Sequence, residues 1–398
     1  MKINRRIDKI RSFKAVFSAL SAVLLLFAVS EFVLQNFTSF GDTLNNLEYY
    51  ASLSFSEDEL KTAIKAREDM ASLGEKVTGV PGTLVYRYKK AETDSLNFNS
   101  FGFRGDEPQK KEENEYRIGV FGDSRIVAVY LAEENTIPFI LQKRLRKEFP
   151  DRKITVFNIG IEGTDLQREI SFAELESESL ELDMAVFYSG GNDINYSFER
   201  GNADYQPFTK DDEVYQNLIE NIAANKKRPF YERSAVIKVI KESFLSDFIH
   251  NFAPSKKEDV FAPLIPEFEA KADEFIRKYK ARIDKASAAM TAKGIKSVFF
   301  FPPLLQLKKP WSEIERNLLY KNEMTLPGVY NYVIRCADGI SESENPRIFK
   351  HTAIFNGNPG TMFYDSVHFT PEASRISGNS MADSLIPLLK EYFRQGSN

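Results

Sequence analysis

The sequence predicts an α/β chain: a three-layer sandwich around a central parallel sheet, preceded by a single transmembrane helix. Three observations lead there. From Tyr116 onward, short apolar runs alternate with amphipathic helical stretches; those runs lack a polar/apolar alternation; and the N-terminus joins a cationic head to a long uncharged segment. Strand–helix–strand order with connections of this length means parallel pairing, because only a crossover brings the next strand back alongside. Runs without alternation suit strands covered on both faces.

Residues 1–14 form a basic tail, with Lys2, Arg5, Arg6, Lys9, Arg11 and Lys14 against Asp8. An apolar segment follows over 15–34, broken by Glu31 and about as long as the ~20 residues a bilayer core requires. It reads as a signal anchor with the tail in the cytoplasm and the remainder outside. The alternative is a cleaved export signal, with Ala28-Val29-Ser30 as the small-x-small site. Residues 35–111 form a membrane-proximal stretch. Ser56 and Glu59 make a capping box for a polar helix that stops at Gly74, as a stalk or packed on the main domain. An aromatic, glycine-rich lead-in, Ser95 to Glu107, comes next.

The main domain spans 112–395. Strands are predicted at 116–121, 153–159, 182–188 and 294–303. A helix is predicted over 134–149, capped by Asn135 or Thr136 with Pro138 in its first turn. Another runs from Asp165 to Ser179 behind a Thr164–Gln167 capping box. A long helix covers Pro266 to Ala292, and the last begins at Thr370-Pro371 and reaches about Phe393. Residues 194–265 read as an irregular insertion, whose charged stretch 210–228 is a solvated face placed where a lid would lie.

Composition narrows the function. The 398 residues carry a formal charge of −4, which lacks the basic excess that nucleic-acid binding demands. Cys336 is alone, so no intrachain disulfide is expected. His250, His351 and His368 are the only histidines, and neither a metal nor a cofactor is expected.

In an open parallel sheet, ligands gather beyond the carboxyl ends of the strands. The first strand ends in Gly122-Asp123-Ser124, the second leads to Gly163, and the third ends in Gly190-Gly191-Asn192-Asp193. Asp365-Ser366-Val367-His368 precedes the last helix. Each block alone is ordinary turn chemistry. Their order and placement together are not.

In these four blocks the sequence resembles the SGNH hydrolases, or GDSL esterases, over about residues 95–395. It is most similar to a subgroup with an N-terminal membrane segment and an Asn-x-x-Gly-Phe-Arg lead-in, here Asn99 to Arg104. The resemblance implies a flavodoxin-like SGNH fold and a serine esterase without metal. Ser124 would be the nucleophile, His368 its base, and Asp365 the group that fixes the imidazole tautomer. The N–H groups of Ser124 and Gly163 and the amide of Asn192 would form the oxyanion hole. With the exported location, it implies an ester substrate in O-acyl (acetyl) groups of a surface or cell-wall glycan. It also implies a bilayer partner through residues 15–34. The rival readings are an O-acyltransferase using the same site and a non-catalytic tethered scaffold or glycan-binding protein.

The chain departs from the family pattern at Arg125, at Val129-Tyr130 where a glycine is frequent, and at Ala373. Arg125 faces either an anionic substrate or a local carboxylate such as Asp123 or Glu133. His250 reads as a core or rim residue and His351 as solvated beside Lys350. Trp311 and Phe299 to Phe301 read as packing rather than a sugar platform.

Overall fold

The computed structural model describes residues 54–72, 77–80, 83–201, 261–321 and 328–395. The basic tail, the segment 15–34, His250 and most of the insertion lie outside the described residues. No described helix is long and apolar enough to cross a membrane.

Helix α1 (Glu57–Ser72) starts with the expected capping box: Ser56 N–H donates to Glu59 Oε2 at 2.8 Å and Glu59 N–H to Ser56 Oγ at 3.4 Å. Ala66 and Met70 bury its apolar stripe in the core, so it packs on the domain. Between Val77 and Phe98 the described residues form two small antiparallel pairs, β1 (Val77–Gly79) with β2 (Tyr86–Tyr88) and β3 (Ala91–Glu92) with β4 (Asn97–Phe98).

The main run is β5 (Glu115–Gly122), α2 (Ser124–Val127), α3 (Ile137–Glu148), β6 (Lys153–Gly160), α4 (Leu166–Glu176), β7 (Met184–Tyr188) and α5 (Gly191–Arg200). It continues through α6 (Pro266–Ala292), β8 (Lys296–Phe301), α7 (Glu313–Lys321), α8 (Val329–Asp338), β9 (Ser343–Glu344), β10 (Arg347–Lys350) and α9 (Pro371–Gln395). Strand order is β6-β5-β7-β8-β10-β9. The first five are parallel, but β9 pairs antiparallel with β10, so the sheet is mixed rather than parallel throughout.

Both faces of the sheet are covered, which is why its strands carry no alternation. Phe121, Phe187 and Phe299 point to one face, where Phe121 stacks on Phe187 at 5.4 Å and Phe187 on Phe299 at 5.0 Å. That face packs on α4, α6 and α8 through residues such as Ile170, Ile283 and Val333. Val120, Val186 and Val298 point to the other, against Leu141 of α3 and Leu385 of α9. The free edge of β6 is engaged at three points by its neighbours. Arg146 Nε donates to Ile154 O at 2.7 Å, Val156 N–H donates to Gln142 Oε1 at 2.9 Å, and Arg104 bridges Asn158.

Local chemistry corrects two predicted helix starts. The Thr164–Gln167 capping box does not form, because the Thr164 hydroxyl donates to the carbonyls of Gly122 and Ile161, and Asp165 caps α4 by accepting Arg168 N–H. The helix expected from 134 begins at Ile137 after a short 3₁₀ turn, and the Thr136 hydroxyl bonds Glu133 O instead of capping. Residues 194–200, read as irregular, continue α5.

Candidate active site

With β5 first, the parallel strands run 2-1-3-4-5, and the order reverses between β5 and β7. A crevice opens at such a point beyond the strand ends. Ser124 follows β5 and Asn192 follows β7. Asp123 caps α2 by accepting Arg125 N–H at 2.9 Å, so Ser124 is the first residue of a one-turn helix. α2 crosses the end of β6 so closely that a Cβ on Gly160 would lie 2.1 Å from Val127 N.

Ser124, Asp365 and His368 meet. The Ser124 hydroxyl donates to His368 Nε2 at 2.8 Å, and His368 Nδ1–H donates to Asp365 Oδ2 at 2.6 Å. The other Asp365 oxygen receives the N–H groups of Val367 and His368. Burial works against the Asp365 charge, yet His368 and these N–H groups outweigh it and hold the carboxyl below its ordinary value. Burial likewise pulls His368 down, but Asp365 outweighs it and the imidazole titrates above 6.5. Tyr364 stacks on the imidazole at 5.9 Å and 17°, and Tyr130 meets it edge-on at 5.3 Å.

Gly163 has φ +72, in the left-handed region that a side chain disfavours. Its N–H and that of Ser124 donate to no acceptor among the described residues. Asn192 Nδ2 donates to Thr164 O at 2.8 Å, which brings the amide beside Gly163 and leaves it a second N–H. The next residue, Asp193, is buried and ties the elements together. It accepts Leu166 N–H and the Ser189 hydroxyl, and burial pushes its carboxyl up to about 7.

Arg125 is buried and turned onto Asp123, with Nη2 at 2.5 Å from Oδ2 and Nε at 3.0 Å from Oδ1. Of its two readings, the local carboxylate holds. His351 is not solvated: it is 5% exposed, its Nε2 meets Ser384 Oγ at 3.2 Å, and burial pushes it down to about 4. Trp311 has Lys309 over its ring and Phe261 stacked at 6.2 Å, which fits packing rather than a sugar platform. Phe299, Phe300 and Phe301 are buried as expected.

Sequence reasoning missed Glu315. Its Oε1 accepts Met362 N–H and Phe363 N–H just before Asp365, and its Oε2 pairs with Lys308 at 2.6 Å, both side chains fully buried. Ser312-x-x-Glu315 is a capping-box pattern and does form one, which was the available signal. Tyr130 and Tyr364 carried no signal of their own. A cavity of about 20 Å³ adjoins the site, lined by Arg125, Gly191, Ile194, Leu304, Val333 and Val367 among others.

A hydroxyl, an imidazole and a carboxylate joined in series at the switch point of a doubly wound sheet are the equipment of a serine hydrolase. The GDSL-like Lipase/Acylhydrolase family profile matches residues 94–381, and the chain belongs to that family, as a serine esterase of the SGNH type. Among solved structures, the acetyl xylan esterase AlAXEase is 16% identical, with 68% of this chain and 99% of that chain covered and a TM-score of 0.36. TesA is 15% identical over 68% of this chain and 99% of its own, with a TM-score of 0.37. A catalytic mutant of Axe2, an acetylxylan esterase from Geobacillus stearothermophilus, is 11% identical over 67% and 92%, with a TM-score of 0.36. No curated protein matches the chain.

Proposed function

We propose that the chain hydrolyses O-acetyl esters of a surface or cell-wall glycan through an acyl-Ser124 intermediate, outside the cytoplasmic membrane. The observation that carries the catalytic roles is the unbroken hydrogen-bond line from Asp365 through His368 to the Ser124 hydroxyl. Asp365 accepts from Nδ1, so Nε2 is left as the base. Ser124 Oγ attacks the ester carbonyl as its proton passes to Nε2. The oxyanion is met by the N–H groups of Ser124 and Gly163 and the free amide N–H of Asn192. Collapse expels the alcohol, which takes the proton from His368. Water then repeats the sequence on the acyl-enzyme, releasing acetate and restoring Ser124.

The acetyl group, like the glycan, rests on the inferred location. The location is supported by the basic residues 2–14 ahead of the apolar segment 15–34, which we take as a retained anchor. A panel of acetyl, butyryl and longer aryl esters, with Ser124→Ala beside it, tests the reading. Acetyl esters should turn over fastest and the variant should be inactive; a preference for long acyl chains would reject the acetyl assignment.

A further inference from the structure

The lead-in motif Asn99 to Arg104 is left without a task by the chemistry above. Its geometry gives it one. Asn99 Oδ1 receives the N–H groups of Phe101 and Phe103, and Gly102 sits at φ +79, where a Cβ would strike Tyr88 O at 2.5 Å. The Arg104 backbone then bridges Phe98 on one side and Asn158 of β6 on the other. From this mount the Arg104 side chain, 2% exposed, reaches the end of the helix that carries Ser124. Nη1 donates to Val127 O at 3.1 Å and Ala128 O at 2.6 Å, and Nη2 donates to Leu131 O at 2.8 Å.

α2 is a single turn, too short to hold itself, and its last carbonyls have no partner within it. Ala128, which ends it, stands at φ 42, a conformation a non-glycine residue seldom adopts unaided. Ala128 N–H donates to Ser124 O at 3.0 Å. One residue therefore links the guanidinium to the serine. We propose that Arg104 is a positioning residue for the nucleophile: by gathering the carbonyls of Val127, Ala128 and Leu131 it fixes the turn that sets Ser124 against His368. The inference rests on the reading of Ser124 as nucleophile. A planar fork of donors spans three carbonyls, which the compact ammonium of lysine does not.

The test compares full-chain Arg104→Lys and Arg104→Ala with wild type and Ser124→Ala. It reads kcat and KM on an aryl acetate, fluorophosphonate labelling rate and thermal unfolding. A folded Arg104 variant should lose about 100-fold in kcat per labelled site, with KM nearly unchanged and labelling slowed in parallel. Two results overturn the proposal: folded variants with kcat near wild type, or a loss that matches the unfolded fraction while the remaining molecules label at the wild-type rate. Should the alanine variant fail to fold, the lysine variant decides by the same readings. An active Ser124→Ala would instead remove the nucleophile reading beneath it.

Discussion

Asp123 and Arg125 form a buried ion pair that straddles Ser124, each side chain 1% exposed. The guanidinium also lies against the backbone of Gly191, where a Cβ would come within 2.9 Å of Nη2. The arginine that departs from the family pattern thus fills the space between two of the four blocks. Removing one partner of such a pair strands a charge, at a cost of about 3–5 kcal/mol. Arg125→Met should lose that much in urea unfolding, and Asp123→Asn/Arg125→Met should recover most of it. A single variant as stable as wild type would show that the pair contributes nothing.

The pH dependence follows from His368. The imidazole must be neutral to take a proton, and Asp365 holds its pKa above 6.5. kcat/KM should therefore rise with pH through an inflection above 6.5. Asp365→Asn removes the charge that raises it, so the inflection should fall. kcat should drop on the order of 10³–10⁴-fold, because the tautomer is no longer held. An unshifted inflection in the variant would mean another group titrates.

Asn192 supplies the one side-chain donor of the proposed oxyanion hole. Asn192→Ala should cost roughly 3–4 kcal/mol of transition-state stabilisation, read as a 10²–10³-fold fall in kcat with KM little changed. A change confined to KM would place the amide on the ground-state substrate instead.

Much of this was legible from residue types, and the misses have physical reasons. Asp247 and His250 share the spacing of Asp365 and His368, so it was the order of the four blocks, with Asp365-x-x-His368 just ahead of the last helix, that let the Ser124–His368–Asp365 constellation be read without coordinates. Long apolar strands such as β5 and β6 were equally plain. β10 was not, because Arg347 and Lys350 bracket only Ile348 and Phe349, and its register is set by the neighbouring β8. The third strand stops ahead of Gly190-Gly191 as expected, but Gly191-Asn192-Asp193, read as turn chemistry, opens α5. Thr164 looked like a cap, but a tertiary bond to Gly122 O competed and won. Arg104 was visible as part of a motif; that its target is the carbonyl end of α2, over twenty residues on, is information only the fold contains.

His351 gives an acid-sensitivity prediction. Its folded pKa is depressed to about 4 by burial, whereas the unfolded chain takes up the proton near 6.5. The stability it contributes is present above 6.5 and is lost as pH falls towards 4, about 3 kcal/mol at the limit. Urea titrations of His351→Gln should show a shallower loss across that window than wild type. Parallel curves would mean the imidazole is not buried as described.

The central claim is that Ser124 becomes covalently acylated with His368 as its base. Intact-mass and peptide analysis after fluorophosphonate treatment tests it most directly. One adduct is expected on the peptide bearing Ser124, absent in Ser124→Ala and formed far more slowly in His368→Ala. An adduct on another residue, or ester hydrolysis undiminished in Ser124→Ala, would contradict it.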